Sequence, residues 1–304
     1  MALKEILSNN PLMMSVAFIA GLLLGGFPVY NSEMITLALI VMMTLSLGGL
    51  NLRNLELRAH ARTTLIAVLL SFGVCSGITI LLAFLFEDPL RSGWIVEAAV
   101  PSAVAVIPFT FLMKGNVENS LVSSAAIYFL SLIMTPMLLL LFVGRTVSVT
   151  SLMTSVSLLI LLPLLLSRGV RRMRMRSETR TILINLSFFV VILAVVGSNR
   201  QYFFGDLPLI LSLLGASFFR IFVPGLLVIA LAAWLKVEGR QRVNMSLFAT
   251  YKNTGMAAAL AVTLIGAEAA LPAAICTPVE IIWLIFLTKF IFPQRPSAKE
   301  ATDR

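Results

Sequence analysis

Ten apolar runs, each close to the length that crosses a bilayer, occupy most of this 304-residue chain. A spanning helix needs about 20 mainly apolar residues. Runs of that kind stand at residues 11–29, 34–50, 63–86, 94–113, 119–143, 149–167, 181–199, 214–236, 243–265 and 270–291. Hydrocarbon offers backbone groups no water, so each run is expected to pair its own N–H and C=O groups as a helix. Composition agrees, with 59% hydrophobic and 12% charged residues, about half the charged share of a soluble domain. The expected fold class is all-α integral membrane, one membrane domain over residues 1–304. Residues 205–213 read as an interfacial segment ahead of the eighth run. The first run has no A-x-A-like cleavage site and reads as a retained span.

Charge orients the bundle. Most of the 23 Lys and Arg fall on one side, led by the run RGVRRMRMRSETR at residues 168–180, while Arg91, Arg145, Arg200 and Arg220 are assigned to the other. The positive-inside rule then puts both termini in the cytoplasm. The expected location is a cell membrane, a bacterial inner membrane, crossed many times. The arginine-rich run reads as a topology anchor touching anionic lipid head groups, not as a nucleic-acid site. Cys75 and Cys276 lie in apolar segments and read as packed thiols, and His60 has no partner at metal-ligand spacing. The sequence lacks H-E-x-x-H, G-x-S-x-G and P-loop motifs, so no enzyme and no cofactor is expected.

Ten runs divide into five and five, over residues 11–143 and 149–291. An odd number per half makes the second half run opposite to the first, the inverted repeat of many secondary transporters. The fourth and ninth runs occupy equivalent places, and both contain helix-weakening residues near their middles: Pro101 and Pro108 in one, Asn253, Thr254 and Gly255 in the other. Non-helical backbone at membrane depth survives only inside protein or beside a watery cavity. The pair therefore points to a substrate or coupling site. Lys252 stands at the second interruption, and an intramembrane charge marks a functional site with a partner to be named. Glu280, two residues after Pro278, is the partner expected from depth. Asn253 and Thr254 can satisfy the break or hold a ligand. Ser120 and Ser124, four apart, share one helix face and are further candidates.

The segments PSAVAVIPFTFLMKGNVENSL (101–121), KNTGMAAALA (252–261) and LPAAI (271–275) resemble the bile acid:sodium symporter family over nearly the whole chain. The resemblance implies ten helices in panel and core domains, with broken helices four and nine crossing at the midplane where two sodium ions bind beside an organic anion. It also implies which positions should carry sodium, and here they depart from the family. The Ser-Asn pair of helix four falls on Val106 and Ile107, the helix-nine Glu on Phe248, and the Gln on Lys252. Ser120, Ser124 and Asn253 keep their chemical type and stand as sodium-site remnants. A hard cation wants several oxygens, so the expectation is a carrier of a small organic anion in which Lys252 takes over sodium's charge, sodium-independent or proton-linked. Sodium-coupled symport and a channel-like or sensory protein on the same fold stay open. The partners implied are an organic anion and membrane lipid.

Overall fold

The computed structural model describes residues 3–48, 60–144, 148–173 and 175–293. The end of the second run, and Arg53, Arg58, Arg145, Arg174, Arg295, Lys299 and Arg304 from the charge count, lie outside the described residues. Within them the chain is helical, with no strand.

In chain order the helices are α1 (Leu3–Ser8), α2 (Asn10–Leu24), α3 (Asn31–Gly48), α4 (Ala61–Val68), α5 (Ser76–Ala83), α6 (Leu90–Ala99), α7 (Val106–Leu112) and α8 (Val117–Phe142). There follow α9 (Val149–Val156), α10 (Leu162–Arg172), α11 (Ser177–Ser198), α12 (Arg200–Gly205), α13 (Leu207–Trp234), α14 (Gly239–Thr250), α15 (Thr254–Leu264) and α16 (Leu271–Phe286). A π-helical turn, Leu69–Cys75, joins α4 to α5, and another, Ser157–Leu161, joins α9 to α10. Local chemistry sets many of the starts. The side chains of Asn9, Asn116 and Asp206 each accept an N–H three residues on, from Leu12, Asn119 and Leu209, which satisfies one of the orphan donors of a helix N-terminus.

Among the described residues, seven helices are long and apolar enough to cross a membrane: Asn31–Gly48, Ala61–Ala83, Val117–Phe142, Val149–Arg172, Ser177–Ser198, Leu207–Trp234 and Glu268–Ile291. The other three apolar runs take different forms. The first is the 15-residue α2, which stops where Gly25 takes a positive φ of 87°. The fourth is divided into α6 and α7, and the ninth into α14 and α15. Residues 205–213 do not form a separate interfacial segment, because α13 runs unbroken from Leu207 through Pro224 to Trp234. Asp206 caps that helix and Pro208 sits in its first turn, where a missing N–H costs nothing.

Helices α2, α3, α10 and α11 pack together, and α5, α8, α13 and α16 pack against the halves of the two interrupted runs. At the α2–α11 contact the backbones approach so closely that a Cβ on Gly197 would run into the backbone of Gly25 and Gly26. Small residues permit such approach between membrane helices. Gly197→Ala should therefore cost about 1–3 kcal/mol through overpacking. Thermal unfolding of the purified variant in detergent measures this, and an unchanged transition would contradict the close contact.

Candidate functional site

Proline chemistry makes the first interruption. A residue before proline is pushed to extended backbone, and Val100, ahead of Pro101, has φ −72° and ψ 156°. That ends α6. Pro108 is not a breaker, contrary to the sequence expectation: it lies in the first turn of α7, where no intrahelical donor is required. The second interruption has no proline. Tyr251 is extended at the end of α14, and the Asn253 side chain accepts the Met256 N–H at 3.1 Å to start α15.

The two breaks touch backbone to backbone, the Asn253 N–H donating to the Pro101 carbonyl at 2.9 Å. A helix C-terminus leaves its last carbonyls without helical partners and carries partial negative charge. At the end of α6 four consecutive carbonyls are each met by a donor. Ser76 Oγ donates to Ala98 O at 2.6 Å, Thr135 Oγ1 to Ala99 O at 2.8 Å, Lys252 Nζ to Val100 O at 2.8 Å, and the Asn253 N–H to Pro101 O. Lys252 is fully buried. Its ammonium also donates to Ser76 Oγ at 2.9 Å and lies 4.6 Å from the Phe72 ring centroid, a cation–π distance. Phe72 and Ser76 come from the π-helical turn and the start of α5. Such turns are frequent at functional sites.

Lys252 does not pair with the Glu280 carboxylate through its ammonium. Glu280 Oε1 instead accepts from Arg220 Nη2 at 2.9 Å and, at 3.5 Å, from the backbone N–H of Lys252. Depth along the chain placed the two residues at one level but could not say which way each side chain turns. Arg220 is also moved by the structure: expected near the outer end of its span, it is fully buried, with Nη2 3.3 Å from Glu97 Oε1 and Nη1 3.6 Å from Cys75 Sγ. Glu97, on α6, has no exposed surface at all, whereas Glu280 retains 6%. Glu97, Ser76 and Thr135 are at the site without having been candidates from the sequence. Glu97 and Arg220 carried a usable signal, a charge inside an apolar run. The hydroxyls carried none.

A cavity of about 540 Å³ lies against the crossing, within the usual size of small-molecule sites. Pro108, Lys252, Asn253, Thr254 and Glu280 border it. Its walls are mainly apolar, including Met42, Ile107, Phe109 and Phe188, and it extends to Ser8, Ser177 and Arg180 at one end of the bundle. Asn253 Nδ2 donates to Tyr128 Oη at 2.9 Å, which joins α8 to the break. Ser120 and Ser124 do not border the cavity. Ser120 Oγ is bonded to Thr110 Oγ1 at 2.8 Å, and the buried Ser124 Oγ has no partner among the described residues. Val106 and Ile107 offer no oxygen from their side chains, and the Val100 carbonyl is taken by the ammonium.

Among the described residues, seven helices are long and apolar enough to cross a membrane, and two interrupted runs meet beside an apolar cavity, an arrangement consistent with a membrane transporter. The model of the SBF-like CPA transporter family, of the bile acid:sodium symporter type, matches residues 17–291. The chain belongs to that family. No curated protein matches it.

Proposed function

We propose that the protein is a ten-span secondary transporter that carries a small organic anion by alternating access, and that Lys252 occupies the position of a coupling sodium ion. The observation that carries this reading is the Lys252 ammonium on the Val100 carbonyl, at the C-terminal end of a half-helix. In discontinuous transporter helices, unwound carbonyls and half-helix C-terminal ends coordinate the sodium or proton-bearing group. Here a covalently attached cation supplies that charge. The residues at the crossing fit sodium poorly. Two of the family's ligand positions are the aliphatic Val106 and Ile107, Ser120 is spent on Thr110, and the unwound carbonyl holds the ammonium.

The ten-span count rests on the seven long helices, the short α2 and the two interrupted runs. Interruptions at the fourth and ninth places favour two inverted repeats over residues 11–143 and 149–291. The packing of α2, α3, α10 and α11 into one group corresponds to a panel against which the crossing-bearing core moves. Anion recognition is supported by the N-terminal, positive end of α15 opening on the cavity at Thr254 and by Arg180 near the mouth. The mouth lies beside the arginine-rich run, so the positive-inside rule makes it cytoplasmic, in a cell membrane of bacterial inner-membrane type with both termini inside.

Counterflow in proteoliposomes tests the reading. A labelled anion, drawn from a panel of carboxylates and sulfonates, should exchange faster when its unlabelled form is present on the opposite side, and equally fast in sodium, potassium or choline. Strict dependence on sodium would restore ordinary sodium symport, and flux without acceleration by exchange would indicate a pore.

A further inference from the structure

Glu97 sits two residues before the end of α6, and neither of its carboxyl oxygens has a hydrogen-bond donor among the described residues. Arg220 Nη2 is 3.3 Å from Oε1 but gives its hydrogen bond to Glu280, and Nη1 turns to Cys75. A charge taken out of water needs hydrogen-bonding partners as well as a counter-charge. Glu280 has both, whereas Glu97 has the counter-charge of Arg220 but no hydrogen-bond donor among the described residues.

Arg220 on α13 lies 3.3 Å from Glu97, 2.9 Å from Glu280 on α16 and 3.6 Å from Cys75 on the π-helical turn; Lys252, at the break before α15, and Cys276, on α16, are the other titratable groups close enough to act electrostatically on this cluster. With both carboxyls ionised and both thiols neutral, the two cations and two anions cancel. A proton on Glu97 removes the unsupported anion and leaves the cluster with one net positive charge. Arg220 keeps its proton and its bond to Glu280. Lys252 and Glu280 border the cavity, while Glu97 does not, so the excess charge is felt at the wall where an anion would sit. In a medium of low dielectric that attraction is strong. Proton binding at Glu97 and anion binding in the cavity then favour each other, and by linkage each raises the affinity for the other by the same factor.

We propose that Glu97 is the proton-binding site of this transporter, taking up one proton with each monovalent organic anion and releasing both on the other side, an electroneutral symport. The proton site stands on the Glu97 geometry, and its coupling to an anion rests on the transporter reading above. The infrared carbonyl stretch of a protonated carboxylic acid reports it without any substrate. Reconstituted full-length protein, titrated downward in pH, should gain such a band, shifted in D2O, lost in Glu97→Gln and retained in Glu118→Gln. Should Glu97→Gln fail to fold, Glu97→Asp must keep the band and move its titration midpoint. In proteoliposomes, an inward proton gradient should accelerate uptake of the anion found by counterflow, and Glu97→Gln should lose that acceleration. A native titration with no band, or one that Glu97→Gln or Glu97→Asp leaves unaltered, overturns the proton site even if anion flux is present. A Glu97-dependent band without anion flux leaves the proton site standing and removes the transport reading.

Discussion

Arg220→Ala should leave little folded protein. The guanidinium is fully buried between Glu280, at 2.9 Å, and Glu97, at 3.3 Å. Removing it strands two carboxyls in a medium that cannot solvate them. Breaking a buried ion pair by deleting one partner costs about 3–5 kcal/mol, a large part of the 5–15 kcal/mol by which folded proteins are typically stable. The yield of monodisperse protein in detergent and its unfolding temperature both register the loss. The cost lies in the orphaned charges, not in the missing side-chain volume. Arg220→Met combined with Glu97→Gln and Glu280→Gln should accordingly recover most of the stability. Recovery by Arg220→Met alone would mean that the carboxyls do not depend on Arg220.

Lys252→Gln should have the opposite profile, a large effect on transport and a small one on stability. The substitution loses a charge-assisted bond to the Val100 carbonyl, of a kind that contributes about 1.5–3 kcal/mol, and the contact with the Phe72 ring. It also removes the cost of holding an ammonium away from water, which offsets most of that loss. The positive charge at the crossing is gone, so anion uptake in sodium-free proteoliposomes should fall at least tenfold, equivalent to about 1.4 kcal/mol or more. Equal transport by Lys252→Gln and the native chain would reduce the lysine to a packing element.

These two residues also mark how far the sequence could be read. Lys252 was legible because an ammonium well inside an apolar run has few bland explanations, and Asn253 gave the restart of the helix. Its contacts were not legible. Ser76 and Val100 are 176 and 152 positions away in the chain, and hydropathy gives the depth of a side chain without its direction around the helix axis. Arg220 lies deeper than an apolar run beginning at residue 214 implies. The helix starts at Leu207, which sets Arg220 about 20 Å along it at 1.5 Å per residue. Pro101 and Pro108 looked equivalent as breakers. Only position separates them, since a proline inside the first turn removes no hydrogen bond. The serines of helix α8 kept the chemical type that the family resemblance asks for, yet Ser120 is turned to Thr110 and not to the cavity. Residue type survives there without the geometry of a site.

In the proposed function a fixed ammonium, that of Lys252, stands in for a bound sodium ion. Anything that binds only the folded state raises its stability by mass action. The most direct test is therefore the unfolding temperature of the purified protein in sodium, potassium and choline, for the native chain and for Lys252→Gln. Identical curves in the three salts are expected for the native chain, and a sodium-specific rise is expected to appear, if anywhere, in Lys252→Gln. A sodium-specific rise in the native chain itself would contradict this role of Lys252.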